Sequence, residues 1–155
     1  MIEILQAETA EEIAETRNLF REYEAWLGLD LCFQGFEEEL ANLPGKYAKP
    51  EGRLLLAFAN KKAAGCIAFR EIEEGVCEMK RLYVRPDFRS LGLGRMLIEK
   101  LIEEAKVAGY KRIRLDTYPP KMERAVQIYK SKGFRKIAPY YHNPYREALF
   151  MELVF

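Results

Sequence analysis

The chain has few of the residues that assign a protein to a class at once. Its 155 residues include three cysteines and one histidine. Cys32, Cys66 and Cys77 form no Cys-x-x-Cys pair and no cysteine/histidine ligand spacing, so the sequence predicts neither a disulfide framework nor a metal site. An odd number of unpatterned cysteines is typical of reduced thiols, and we therefore expect a cytoplasmic protein.

Charge and hydropathy exclude further classes. The net charge of +1 lacks the basic excess of a general nucleic-acid-binding protein. No apolar run is long enough to cross a bilayer. The N-terminus, Met1 to Leu5, has no basic segment followed by an apolar one, which argues against secretion. We expect neither a nucleic acid nor a membrane as partner.

Length and patterning predict one domain over residues 1–155, because the chain is long enough for one core and has no repeat, linker or low-complexity segment. Thr9 and Glu12 form a capping-box pattern that predicts a helix to about Trp26. A second, shorter helix is expected over 36–43, and helical periodicity recurs over 92–108 and from Pro119 to Gly133. Strands are predicted over 2–6, 53–59, 64–72, 77–84, 112–117, 134–137 and 148–154.

The order of these elements predicts the fold class. The strands from 53 to 84 are joined by short turns, which is typical of an antiparallel meander. The helix over 92–108 then leads to the strand over 112–117, and such a crossover makes that strand parallel to the one over 77–84. The sequence therefore indicates an α/β (α+β) domain with a mixed, mostly antiparallel sheet flanked by helices.

The most informative segment joins the last meander strand to the long helix. It reads Arg89-Ser90-Leu91-Gly92-Leu93-Gly94-Arg95. A helix start has unpaired N–H groups and a positive dipole end, and glycine lets a phosphate approach the backbone. The preceding meander excludes a Rossmann start, and the absence of Gly-Lys-Ser/Thr excludes a P-loop. We predict a pyrophosphate site.

Three motifs in order resemble those of the GCN5-related N-acetyltransferases, the GNAT family. They are Met79-Lys80-Arg81-Leu82-Tyr83-Val84, then Arg89-x-x-Gly92-x-Gly94, and then Ala125-x-x-x-Tyr129-x-x-x-Gly133-Phe134. The resemblance implies a GNAT fold in which the two parallel strands splay apart around acetyl-CoA. It also allows a homodimer, since dimers are common in that family.

The resemblance implies a set of cofactor contacts. Backbone N–H groups from Ser90 to Met96 would hold the pyrophosphate, and Arg89 and Arg95 would add charge-assisted contacts. The Leu82 N–H would polarise the acetyl carbonyl, and a β-bulge near Leu82 to Val84 is compatible with the pattern there. The implied contacts are Leu82, Tyr83, Val84, Arg89, Ser90, Leu91, Gly92, Leu93, Gly94, Arg95, Met96 and Tyr129.

Two residues are candidates for proton transfer. By similarity Tyr129 lies near the CoA sulfur and protonates the departing thiolate, although a packed core tyrosine explains its position equally well. Glu78 lies on a strand that should be buried, so it is either the base that deprotonates the acceptor amine or the partner of a neighbouring cation. Lys80 and Arg81 fit either a solvated basic face or the anion site.

The acceptor is less well specified than the cofactor. The aromatic and apolar residues Tyr23, Trp26, Leu27, Phe33, Tyr141 and His142 are candidates for binding it, although His142 also fits a plain surface loop. We expect a primary amine of a small or amino-acid-like molecule. An acyl-CoA sensor domain and a protein N-terminal or lysine acetyltransferase are the alternatives. Many family members have an asparagine near the segment Lys121 to Arg124, and this chain has none.

Overall fold

A central sheet of seven strands forms the frame of the protein in a computed structural model that describes residues 1–155. The strand order is β1-β2-β3-β4-β5-β7-β6. The strands are β1 (Ile2–Gln6), β2 (Arg53–Ala59), β3 (Lys62–Glu73), β4 (Val76–Val84), β5 (Arg112–Thr117), β6 (Arg135–Lys136) and β7 (Leu149–Val154). The helices are α1 (Ala10–Leu27), α2 (Phe36–Ala41), α3 (Leu93–Val107) and α4 (Pro119–Ser131).

Local sequence signals account for most of these boundaries. Thr9 Oγ1 accepts from the Glu12 N–H at 3.1 Å, and the Glu12 carboxylate accepts from the Thr9 N–H at 3.0 Å, so the predicted capping box is present. Gly28 ends α1 in the left-handed region, with φ of 74°. The strand predicted over 134–137 is shorter, because Phe134 is buried and its N–H donates to the Tyr129 carbonyl at the end of α4.

The two faces of the sheet carry two hydrophobic cores. One core is centred on α3, whose Leu97, Ile98 and Leu101 are completely buried. The other lies under α1 and α2, where Phe20 and Phe36 are buried. The predicted mixed sheet flanked by helices is confirmed, and none of the helices is long and apolar enough to span a membrane.

The parallel strands separate part-way along their length. β4 pairs with β5 only from Val76 to Glu78, opposite Arg112 to Arg114, and both strands continue beyond these pairs. Every other pair of neighbouring strands is antiparallel. The separation leaves the far half of β4 without a strand on that side.

A β-bulge lies on β4 beyond the point of separation. Ala68 pairs with Lys80 and Cys66 pairs with Tyr83, so two residues of β4 face one residue of β3. Arg81 accommodates the bulge with φ of 64°. The bulge therefore involves Arg81 and Leu82, at the start of the segment for which the sequence allowed one.

Candidate functional site

A large cleft opens where β4 and β5 separate, and it encloses about 500 Å³. Its walls come from the end of β4, the start of α3 and one side of α4. Seven of the predicted cofactor residues line it: Leu82, Tyr83, Val84, Arg89, Gly92, Gly94 and Arg95. The sequence analysis missed the α4 wall, where Lys121 and Arg124 add two cations and Met122, Ala125 and Ile128 add apolar surface.

The two glycines at the start of α3 have different reasons to be glycine. Gly92 has φ of 74°, a left-handed conformation that precedes the helix and favours glycine. Gly94 has ordinary helical geometry, and a Cβ added there would meet no atom within 4 Å. Since neither backbone conformation nor packing requires Gly94, the open space beside it is the feature that suits a ligand approaching the backbone.

Arg89 is held on an aromatic platform at the rim of the large cleft. Its guanidinium carbon lies 4.9 Å from the centre of the Trp26 ring and 5.8 Å from that of Tyr83. Its Nε donates to the Val84 carbonyl at 2.8 Å. Trp26, which the sequence analysis assigned to the acceptor, therefore lines the large cleft.

The other predicted cofactor residues surround this rim without lining it by their side chains. Ser90, Leu91 and Met96 are exposed, and Leu93 is completely buried in the α3 core. The Met96 N–H already donates to the Gly92 carbonyl at 3.2 Å. The N–H groups that helix geometry leaves unpaired are thus those preceding Met96.

A small pocket lies between the separated parts of β4 and β5, lined by Met79 to Arg81 and by Asp116 and Thr117, and it encloses about 40 Å³. Of the predicted acceptor residues, Tyr23, Leu27 and Phe33 line it. The polar residues of its lining were not predicted to bind the acceptor, although Lys80 and Arg81 were considered for the anion site. They are Gln34, Lys80, Arg81, Asp116, Thr117 and Asn143.

Two loops close the outer wall of the small pocket. The Tyr145 hydroxyl accepts from the Asp30 N–H at 2.8 Å and donates to the Asp30 carbonyl at 3.2 Å. Phe33 packs against Tyr145 and Tyr141, with ring centres 5.9 and 6.4 Å away. The outer wall of the small pocket is therefore built from aromatic side chains of two loops.

Comparison with known proteins matches this architecture. A model of the acetyltransferase (GNAT) family matches residues 8–134. The chain belongs to the GNAT family. An uncharacterised N-acetyltransferase from Schizosaccharomyces pombe is 40% identical over 154 residues, which cover 98% of this chain and 94% of the relative.

Solved structures share the GNAT fold. An acetyltransferase from Streptococcus agalactiae has a TM-score of 0.80 at 25% identity, covering 99% of this chain and 98% of that one. The PaiA N-acetyltransferase from Thermoplasma acidophilum, solved in complex with coenzyme A, has a TM-score of 0.76 at 20% identity, covering 100% and 99%. The predicted family, fold and N-acetyltransferase class are confirmed.

Glu78 of this GNAT domain is buried and fully engaged. Its Oε1 accepts from Arg70 at 3.1 and 3.2 Å, its Oε2 accepts from the Tyr140 hydroxyl at 2.7 Å, and Lys80 Nζ lies 3.6 Å from Oε1. Burial alone would raise the pKa of Glu78, but Lys80, Tyr140 and Arg70 together hold it below its usual value. Glu78 lines neither the large cleft nor the small pocket.

Asp116 is the carboxylate that the small pocket contains. It accepts hydrogen bonds from the Tyr141 hydroxyl and from Asn143 Nδ2, the latter at 3.0 Å, and it forms no ion pair. Gln34 Nε2 donates to the Tyr141 hydroxyl at 3.0 Å, and that hydroxyl donates to Asp116. Tyr141, a predicted acceptor residue, therefore orients Asp116 but does not line the pocket. His142 is exposed and lines neither cavity.

Tyr129 is buried at the end of α4 and packs on Phe134, with ring centres 5.5 Å apart. Its hydroxyl makes no hydrogen bond to another protein group. Burial raises the pKa of Tyr129 well above that of a free phenol, and the nearby Asp116 carboxylate raises it further. Tyr129 is therefore a protonated phenol at neutral pH, and its side chain lines neither the large cleft nor the small pocket.

The bulge that carries Leu82 is held by an ion pair. Arg81 Nε and one terminal nitrogen donate to the Glu39 carboxylate, each at 2.9 Å, and the other terminal nitrogen donates to Gln34 at 2.7 Å. Arg81 is only 4% exposed. Arg81 is thus neither part of a solvated basic face nor free to bind an anion. It forms a buried ion pair that fixes the bulge of β4 to α2.

Proposed function

We propose that the protein transfers an acetyl group from acetyl-CoA to a primary amine of a small acceptor. The single observation that carries the proposal is the large cleft, where open backbone at Gly94 lies among the cations Arg89, Arg95, Lys121 and Arg124. These groups match a pyrophosphate and an additional phosphate. The coenzyme A complex of a protein with the same fold supports this assignment.

The separated part of β4 offers a backbone for the cofactor arm. Beyond Glu78, β4 has no β5 partner, so Leu82 and Val84 can pair with an extended amide-containing chain as a further strand would. The Val84 carbonyl already accepts from Arg89 Nε. We therefore expect Arg89 to give up this bond when the arm binds and to turn toward phosphate.

The proposed reaction is direct acyl transfer. The amine nitrogen forms a bond to the thioester carbonyl carbon, the C–S bond breaks, and the sulfur leaves as a thiol. The Leu82 N–H stabilises the carbonyl oxygen, and the Tyr129 hydroxyl donates its proton to the sulfur. The acceptor ammonium loses one proton before it attacks, and the same nitrogen loses a second as the tetrahedral intermediate collapses. One of these two protons replaces the one that Tyr129 gave to the sulfur, and the other is released to water.

We infer that Asp116, rather than Glu78, faces the acceptor ammonium and accepts its proton. Asp116 lines the small pocket and has only neutral hydrogen-bond donors, whereas Glu78 is engaged by Arg70 and Tyr140. An ammonium with a pKa of about 10 needs such a carboxylate because its charged form cannot attack. Glu78 remains the sequence-based alternative.

Calorimetry with acetyl-CoA tests the cofactor assignment. We expect binding at tens of micromolar or tighter, and no binding in that range would overturn the proposal. A screen of amines for release of free CoA then tests turnover. Binding without turnover on any amine would support the acyl-CoA sensor, and activity confined to peptides would support a protein acetyltransferase.

We also propose a cytoplasmic location, because all three cysteines are free and two of them, Cys66 and Cys77, are buried thiols. Burial raises the pKa of Cys77 to about 12 and that of Cys66 also upward, which suits inert core residues. A homodimer is proposed on the family resemblance alone. Light scattering on the purified protein measures it directly.

A further inference from the structure

Two polar groups of the small pocket have no hydrogen-bond partner. Thr117 is 9% exposed, and its Oγ1 is the one fully buried side-chain oxygen or nitrogen without a partner in the protein. Lys80 is 7% exposed and makes no hydrogen bond, although an ammonium has three donors. Buried polar groups are normally paired, and a ligand with acceptor atoms in this pocket would satisfy both.

The charge of Lys80 is only partly balanced within the protein, because it shares its one carboxylate with Arg70. Its only ionic contact is Glu78 Oε1 at 3.6 Å, and Glu78 is already satisfied by Arg70 and Tyr140. Two cations thus share one carboxylate at this point. Burial and the charge of Arg81 lower the pKa of Lys80. A bound anion would oppose this shift, because it stabilises the charged form of the lysine.

Asp116 is a negatively charged group in the same pocket, and it can bind a cation. It has no cationic partner within the protein, so its charge is free for an ammonium. Apolar walls from Tyr23, Leu27 and Leu31 lie around these polar groups. The pocket therefore offers donors for an anion, a carboxylate for a cation and apolar surface between them.

We propose that the acceptor is a small zwitterionic amino acid with an apolar side chain. Lys80 Nζ and Thr117 Oγ1 donate to its carboxylate, and Asp116 faces the ammonium that is acetylated. A zwitterion brings one negative and one positive charge to face Lys80 and Asp116, whereas a simple amine brings only the positive charge. This inference rests on the proposed acetyl transfer and narrows its acceptor.

The first test measures the activity of the wild-type protein on sets of matched acceptors. L-leucine, L-methionine and L-phenylalanine are each assayed against the corresponding amide and the decarboxylated amine, by CoA release at saturating acetyl-CoA. The amide has an α-amine with a pKa of about 8, so more of it is reactive at neutral pH than of an amine near 10. Higher kcat/KM for an amino acid than for both analogues, by about 10-fold or more, can therefore come only from the carboxylate.

Two variants locate the effect. Thr117→Val removes the hydroxyl with little change of shape, and Lys80→Met removes the charge while keeping the stem. Each is expected to raise KM for the amino acid about 10-fold or more while KM for the amide changes little. Lys130→Met, at an exposed position of α4, is the matched lysine control. Thermal unfolding shows whether each variant is folded.

The outcomes separate this inference from the proposed function. Equal kcat/KM for amino acid, amide and amine would overturn the amino-acid assignment and leave acetyl transfer standing. An amide better than the amino acid would point instead to a peptide N-terminus. Absence of acetyl-CoA binding to the wild-type protein would contradict the proposed function itself. If Lys80→Met fails to fold, Thr117→Val alone decides, and an unchanged acceptor preference there contradicts the inference.

Discussion

Glu78 and Arg114 form the last residue pair between the two parallel strands, and the strands separate immediately beyond them. Each of the two side chains is engaged by residues of other elements. Glu78 binds Arg70 and Tyr140, and Arg114 binds Glu152 at 2.8 Å and Glu73 at 2.9 Å. The fork that opens both cavities is thus closed at its base by ion pairs on either strand.

Two substitutions of Gly94 test whether a phosphate binds at the start of α3. Gly94→Ala should fold at least as well as the wild type, since its Cβ meets nothing and glycine is the poorer helix residue by about 0.4–1 kcal/mol. Gly94→Glu places a carboxylate at the anion site and should weaken acetyl-CoA binding by more than 10-fold. Calorimetry measures both Kd values, and unchanged affinity in Gly94→Glu contradicts the site.

Tyr129→Phe separates catalysis from packing. The Tyr129 hydroxyl makes no hydrogen bond in the protein, so we expect the melting temperature to change little. If the hydroxyl protonates the leaving sulfur, kcat should fall by about 100-fold or more while acetyl-CoA affinity is retained. An unaltered kcat would assign Tyr129 to the core alone.

Asp116→Asn and Glu78→Gln distinguish the two candidate bases. Asn keeps the shape of Asp116 but cannot accept a proton, so kcat/KM for amines should fall by about 100-fold. Glu78→Gln should retain most activity per folded molecule. The pH profile of kcat/KM provides the second measurement, and the reverse pattern of losses would restore Glu78 as the base.

Glu78 should stabilise the fold at neutral pH and lose that contribution in acid. Its pKa is lowered in the folded protein, so its stabilisation is complete above its unfolded pKa and is lost as pH falls through the folded value. Glu78→Gln leaves two cations without their carboxylate and should cost about 3–5 kcal/mol at pH 7. Urea unfolding between pH 7 and 3 should then show a weaker acid dependence than the wild type. Glu71→Gln, exposed and without an ion pair, should behave as the wild type does.

The Arg81–Glu39 pair should stabilise the bulge more than a surface pair could. Glu39→Gln leaves the buried Arg81 without its carboxylate, and we expect a loss of about 3–5 kcal/mol. Glu37→Gln is the matched control on the same helix, because its pair with Arg21 is exposed, with side chains 64% and 54% accessible. That change should cost less than about 1 kcal/mol. Equal losses in urea unfolding would contradict the clamp.

Local patterns predicted the elements well, because short-range chemistry determines them. The Thr9 capping box, the strands Arg53–Ala59 and Arg112–Thr117, and the parallel crossover around α3 all agree with the structure. The end of α2 and the two-residue strand Arg135–Lys136 differ from prediction. There, contacts distant in sequence decide where backbone pairing stops.

The cofactor side was predicted more completely than the acceptor side. Seven lining residues of the large cleft lie between Leu82 and Arg95, where two adjacent motifs predicted them. The small pocket combines Gln34, Lys80, Asp116 and Asn143, which belong to four separate segments of the chain. Asp116 alternates with buried residues along β5, and that pattern alone is typical of a solvent-facing residue.

The sequence by itself determined the family and the order of elements, and it predicted an anion site at Gly92 and Gly94, since these depend on neighbouring residues and backbone geometry. Only the tertiary structure decided which groups surround Glu78, Lys80 and Thr117. A buried charge is a base, a ligand or half of an ion pair according to what lies within about 4 Å of it. Those neighbours, Arg70 and Tyr140 among them, are brought together by sheet pairing and by the fork between β4 and β5.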